Sequence, residues 1–346
     1  MRSPASLHAE RGHGIVLLAA LLLQAVLVGI GFPVTELFSA TPLLHVDAAH
    51  HWYQITLAAD LAGQSRLSGY DPTFAAGYLG GIPYNTSARL PAALAAALSP
   101  WISAAVAFKL FSVGCALLGP LAVPAAARAL GLPPRVAAVS ALLAIILWWA
   151  SPVHWYHTAG VVAWPFAVFA ALWFAASVVA FARGDGGAAR FVLLLAAGAG
   201  LFLTHPLFPI AAAIAIIPML AVSLRTLQVG RLWAWLVVLP LGCVAANLPW
   251  ILATVRNPGM ADGMQPYQQA VDIHMVWQDM LGLPSAGRGS RWYGVLVFLA
   301  AWAVAASGLP DRRKLCIALA LAAEPGTSTL PILQMTCSDP KLALLP

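Results

Sequence analysis

Apolar residues run in blocks of about twenty along most of the chain, the length an α-helix needs to cross the hydrocarbon core of a bilayer. The blocks cover residues 14–32, 100–123, 135–153, 160–182, 189–204, 206–224, 232–253 and 292–308. They predict an all-α integral membrane protein with about eight transmembrane helices. A ninth run begins at Leu315 but meets Pro325, so a truncated ninth helix is expected there. After Ala323 the sequence turns to Glu324-Pro325-Gly326-Thr327 and a mixed tail, which predicts a polytopic domain over 1–324 and a truncated or frameshifted C-terminus over 325–346. The alternation over ~10-residue segments that marks an outer-membrane barrel is absent.

Polar positions gather between the blocks, and most heavily in two stretches, 33–99 and 254–291. Arginines fall the other way. Arg2 and Arg11, Arg128 and Arg135, Arg183 and Arg190, Arg225 and Arg231, and Arg312-Arg313-Lys314 all flank short connections on one side. Arg66, Arg89, Arg256, Arg288 and Arg291 are spread over the long loops of the other. The positive-inside rule then predicts a cytoplasmic N-terminus, a multi-pass protein of the cytoplasmic membrane and two long external loops. The first block, with Arg2 and Arg11 before it and no small-residue cleavage site after it, is expected to stay as a signal anchor.

Composition agrees with this reading. Hydrophobic residues make up 61% of the 346 and charged residues 9%, against about 25% charged in soluble domains. Too little charge is available to cover a water-soluble fold, so a soluble enzyme, a disordered chain and a disulfide scaffold are excluded. The net charge of +6 comes from scattered arginines that report orientation and no nucleic-acid partner. Cys115, Cys243, Cys316 and Cys337 are far apart and suggest neither a metal knuckle nor a disulfide framework.

Candidate chemistry lies on the external side, with Glu36, Asp47, Asp60, Asp71, His45, His50, His51, His154, His157 and His205. Residues 46–64 predict a short amphipathic interfacial helix opened by Asp47. Ala48, Trp52, Ile55 and Ala59 share one face, and Asp47, His50, His51 and Gln54 another. Two readings stand for the polar face: lining of a cavity, or a capping Asp beside interfacial histidines. Beyond it, Tyr70, Phe74, Tyr78 and Tyr84 alternate with Gly and Pro, which predicts an ordered loop and excludes a helix or a buried strand. That loop either lines a sugar or headgroup site or is ordinary packed surface. Asn85-Thr86-Ser87 matches a glycosylation sequon.

Three further features stand out. His154 and His157 share a helical face and, with Asp47 and His51, are of the right types for a divalent metal; the alternative is an interfacial Trp-Tyr-His belt. His205 sits at a Thr-His-Pro turn between two spans, as a hairpin cap or a cavity group. Lys109 falls inside a span, where it either snorkels outward or meets a phosphate. Asn247-Leu248-Pro249-Trp250 predicts a kink.

The order of a first span and an external loop opening with Asp47-Ala48-Ala49-His50-His51-Trp52-Tyr53 resembles the GT-C superfamily of polytopic glycosyltransferases. The later Gly69-Tyr70-Asp71-Pro72, Gly77 and Gly81-Ile82-Pro83-Tyr84-Asn85 look like the first-loop pattern of its bacterial YfhO-type and "6-pyruvoyl-tetrahydropterin synthase-related" membrane proteins. The second label implies no pterin enzyme. The resemblance covers about residues 44–100; beyond them it is one of hydropathy.

The resemblance implies a GT-C-like fold and an inverting transfer of sugar from a polyprenyl-phosphate donor to an acceptor outside the cytoplasmic membrane. Asp47 would be the general base, a carboxylate made more basic by partial desolvation at the lipid boundary, with His51 beside it. His50, His51 and Arg89 would meet the departing phosphate and Asp71 a sugar hydroxyl. Tyr70, Tyr84, Asn85, His154, His157 and His205 are the remaining candidate substrate contacts. No acidic pair for a metal is visible in the first loop, so no metal ligands are assigned, although a divalent metal is compatible with the superfamily. Membrane lipids are the other partner. Nucleotide-driven pumping and the common hydrolases have no motif here. The alternative from a different class is a non-catalytic protein, a lipid or glycan transporter or an assembly factor.

Overall fold

The computed structural model describes residues 4–256 apart from 73–76, 85–88 and 151. The predicted spans over 292–308 and from Leu315, the C-terminal tail and nearly all of the loop 254–291 lie outside the described residues.

The described chain is mostly helical. Its elements run α1 Pro4–Gly31, α2 Val34–Leu37, α3 Ala48–Gly63, β1 Ser68–Asp71, β2 Tyr78–Gly81, α4 Arg89–Leu98 and α5 Ala104–Leu118. There follow α6 Ala122–Ala129, α7 Pro134–Ala150, α8 Pro152–Thr158, α9 Ala163–Ala182, α10 Ala188–Thr204 and α11 Phe208–Ser223. A π-helical turn over Ala234–Val238 leads into α12 Leu239–Ala246 and α13 Leu248–Arg256.

Three helical stretches among the described residues are long and apolar enough to cross a membrane: Gly14–Gly31, Ala163–Ala182 and Val229–Ala246. A fourth is added if α5 and α6, bent by 48°, count as one span. The block 100–123 is therefore not the straight helix its hydropathy predicts. Gly119 and Pro120 break it. A Cβ on Gly119 would stand 2.5 Å from the ring of buried Trp148, and Pro120 has no N–H to continue the ladder.

These helices differ in what they face. Ile15, Leu18, Leu22, Val26 and Ile30 of α1 are exposed, as apolar side chains are where a helix meets lipid. By contrast α9 is buried over most of its length and forms the centre, with α6, α10 and α11 packed on it. Alanines at 167, 170, 171, 175 and 176 let those neighbours approach, and Phe174 meets Phe208 edge-on at 5.3 Å.

Polar side chains inside the bundle make specific bonds. Gln24, fully buried in α1, donates to Ala116 O at 2.7 Å and accepts from Trp149 Nε1 at 2.8 Å, tying α1 to α5 and α7. Asn247, where the predicted kink falls, donates to Ala199 O at 3.2 Å and Cys243 O at 2.9 Å and separates α12 from α13.

Helix α9 also separates two chemically distinct ends. Its C-terminal end meets the basic turns: Gln228 N donates to Ala182 O at 2.8 Å, and Arg231 Nη1 donates to Phe181 O at 3.1 Å and Gly186 O at 2.7 Å. Its N-terminal end follows Gly160, which packs on the start of α3. Twenty residues of helix put roughly 30 Å between the two ends.

Candidate functional site

The interfacial helix expected over 46–64 is α3, and its faces are those the spacing predicts. Ala48, Ile55 and Ala59 are buried and Trp52 packs beside them. Asp47 stands at its N-cap position in helical geometry, φ −72° and ψ −14°, and makes no side-chain capping bond. The capping role is thus corrected: the backbone of Asp47 holds the helix start while the carboxylate does not. Asp47 N donates to Ala159 O at 2.9 Å, and His51 N donates to Asp47 O at 3.0 Å. Val46, just before, has φ +48°, a left-handed conformation unusual for a β-branched residue and typical of strained functional positions.

Asp47 is bracketed by residues of an apolar cleft of about 190 Å³ between α1, α5 and the turn after α8. Phe32, Phe108, Trp149 and Val162 are among its lining residues, and His45 and His157 are its titratable members. His45 Nδ1 lies 3.3 Å from Thr158 O, and the His157 ring is 5.4 Å from that of Trp148. Sequence reasoning passed over His45, because nothing in its neighbourhood says that the 158–160 turn comes back to it.

The other face of α3 carries a second group. His51 is buried, its ring 5.8 Å from that of His50. Arg89 at the start of α4 and His205 at the end of α10 are close enough that their charges act on His51 and one another. Burial takes His205 down to about 3, with Arg89 and then His51 pushing the same way. Burial takes His51 to about 4, helped by His50. His50 is lowered by partial burial against the pull of the Asp47 carboxylate. Arg89, drawn down by burial to about 10, stays cationic at neutral pH.

The neutral His205 accepts from Leu207 N through Nδ1 at 3.2 Å, which leaves the proton on Nε2. Its ring lies 4.8 Å from that of Trp164. The hairpin-cap and cavity readings of His205 therefore meet in one residue: one nitrogen closes the turn and the other edge joins the Arg89–His51 group. Trp164 and Trp250, which flank this group, were not legible as site residues, since an aromatic near a span end ordinarily reads as an interface anchor.

The aromatic loop departs from expectation. β1 and β2 form an antiparallel ladder with Ser68 opposite Gly81 and Asp71 opposite Tyr78, and Gly69 and Asp71 are buried. A buried strand does exist there, because the Tyr53 hydroxyl of α3 donates to Asp71 and supplies the polar partner that strand needs. Tyr70 is exposed on the opposite side of β1. Tyr84 ends a 3₁₀ turn, Ile82–Tyr84, but its side chain and that of His154 lie outside the described residues, as does Asn85.

Lys109 neither snorkels nor presents its charge to a cavity. Its ammonium is buried and donates to Glu36 O at 2.8 Å, Ser39 O at 3.0 Å and Ser39 Oγ at 2.7 Å. Ser39 in turn donates to the Glu36 carboxylate at 2.9 Å. The lysine closes the end of α2. Among the described residues no group of three or more His, Cys, Asp or Glu is placed to hold a metal ion. No protein-family model and no curated protein matches the chain.

Proposed function

We propose that this is a GT-C-like membrane glycosyltransferase that moves a sugar from a polyprenyl-phosphate donor to an acceptor hydroxyl on the external face of the cytoplasmic membrane. The observation that carries the reading is the position of Asp47: a half-buried carboxylate at the head of an interfacial helix, bracketed by residues of an apolar cleft. A prenyl chain suits the cleft, and its head group then lies near α3. Two further facts support the sidedness. The basic turns are joined to each other, and they sit one length of α9 from the histidine-rich end. In this reading the N-terminus is cytoplasmic and further spans follow α13.

The chemistry follows from the residue types. Asp47 accepts the proton of the acceptor hydroxyl as its oxygen bonds to the anomeric carbon. The bond from that carbon to the phosphate oxygen breaks on the opposite side, inverting the centre and releasing polyprenyl phosphate. Arg89, with the neutral His51 and His205 as hydrogen-bond partners, stabilises the charge on the departing phosphate. No step is assigned to a metal.

Asp47→Asn keeps shape and removes the base. It is expected to cut sugar transfer by about 10²–10⁴-fold while expression and membrane insertion persist. If Asp47→Asn fully restores a surface-glycan defect in cells lacking the protein, the catalytic assignment fails and a transport or assembly role takes its place.

A further inference from the structure

Arg89 is the buried cation of the external end, and its surroundings are more elaborate than a salt-bridge partner would require. Its guanidinium carbon lies 3.6 Å from the centroid of the Trp250 ring. That indole is itself fixed on two sides. Its Nε1 donates to Asn247 Oδ1 at 3.0 Å, and its ring meets Phe202 of α10 edge-on at 5.4 Å. Asn247 is buried and donates both to Ala199 O of α10 and to Cys243 O of α12. The plane of the indole is therefore set by a chain of hydrogen bonds reaching into two spans as well as by packing.

Stacking uses the face of a guanidinium and leaves its N–H bonds spread in its own plane. A fixed indole thus decides the plane in which Arg89 can offer paired donors. Paired donors in one plane are what recognition of a phosphate's oxygens asks for. We propose that Trp250, held by Asn247, is a positioning residue that orients Arg89 toward the phosphate of a prenyl-phosphate ligand. The proposal rests on the reading of Arg89 as the phosphate-binding group and names the residues that make that binding directional. Neither Trp250 nor Asn247 touches the reacting atoms.

The test measures binding of farnesyl monophosphate and of farnesol to the full chain in phosphatidylcholine nanodiscs. The ratio of the two affinities reports the phosphate contact, and farnesol alone reports an intact cleft. The wild type is expected to prefer the phosphate by about tenfold or more, the worth of one well-oriented charge-assisted contact. Arg89→Gln should abolish the preference. Trp250→Leu and Asn247→Leu should reduce it by about five- to tenfold with farnesol binding unchanged, and Trp250→Phe, which keeps an aromatic face, should stay within about twofold of wild type. If Trp250→Leu also loses farnesol, Asn247→Leu, which keeps the indole but frees its plane, decides the matter. Full phosphate preference in the Trp250→Leu and Asn247→Leu variants, beside its loss in Arg89→Gln, overturns the positioning role and leaves the Arg89 reading standing. Full preference in Arg89→Gln removes that reading and the positioning role together.

Discussion

Gly160 rests directly on the backbone of Ala48. It has φ +99°, and a Cβ built on it would stand 2.7 Å from the Ala48 Cβ and closer still to the Ala48 backbone. Glycine is needed there twice, for its dihedral and for its lack of volume. Gly160→Ala should therefore cost about 3 kcal/mol and lower the thermal midpoint in detergent. It should also reduce sugar transfer, because the displaced segment is the one that holds Asp47. An unchanged midpoint would show that the turn moves aside at no cost.

Val46 offers the opposite experiment. Its left-handed conformation costs on the order of 1–3 kcal/mol in a β-branched residue, and its side chain is largely exposed. Asparagine tolerates that conformation, so Val46→Asn should stabilise the protein by about 1 kcal/mol, seen as a higher thermal midpoint. A lower midpoint would mean that the valine side chain contributes more than its backbone strain removes.

Acid should loosen the external end. His51 and His205 are held at about 4 and about 3, below the ordinary 6.5, so the native state keeps both neutral where the unfolded chain takes up protons. The stability they contribute is whole above pH 6.5 and is lost as pH falls from there toward 4 and then 3. For His51 the loss is on the order of 3 kcal/mol by pH 4. Melting curves between pH 7.5 and 4 should show this decline, and His51→Gln or His205→Gln should flatten it. An equal decline in both variants would place the acid sensitivity elsewhere.

Lys109 is a structural cation in an apolar setting. Lys109→Met keeps the stem and removes the ammonium, leaving the carbonyls of Glu36 and Ser39 without their shared donor. The expected cost is about 3 kcal/mol, measured as a thermal shift, with freer motion around α2. A neutral substitution would mean that water readily takes the ammonium's place.

Much of the fold could be read from hydropathy because the signal is strong and local. Helix α10 occupies Ala188–Thr204 where residues 189–204 are expected, and α3 occupies Ala48–Gly63 within 46–64. Both are bounded by turn residues and have clear periodicity. What hydropathy misses are features set by a distant partner. The bend at Gly119 depends on the Trp148 ring, the strand at Gly69–Asp71 depends on the Tyr53 hydroxyl, and the role of Lys109 depends on carbonyls some seventy positions earlier in the chain. The candidate site divides the same way. Asp47, His50 and His51 are neighbours in sequence and were found together. That Arg89 and His205 join His51, and that Trp250 lies over Arg89, follows only from helix packing.

The contact between Arg231 and the carbonyls of Phe181 and Gly186 bears on how orientation can be manipulated. Arg231 is both an orienting charge and the clasp that closes one turn onto its neighbour, reinforced by the Phe181 ring 4.8 Å from its guanidinium. Reversing its sign would confound insertion polarity with loss of the clasp. Arg225, exposed at its surface, carries the same electrostatic vote without that second duty. Charge-swap mapping of topology therefore belongs at Arg225, and a collapse seen on changing Arg231 speaks of architecture before it speaks of direction.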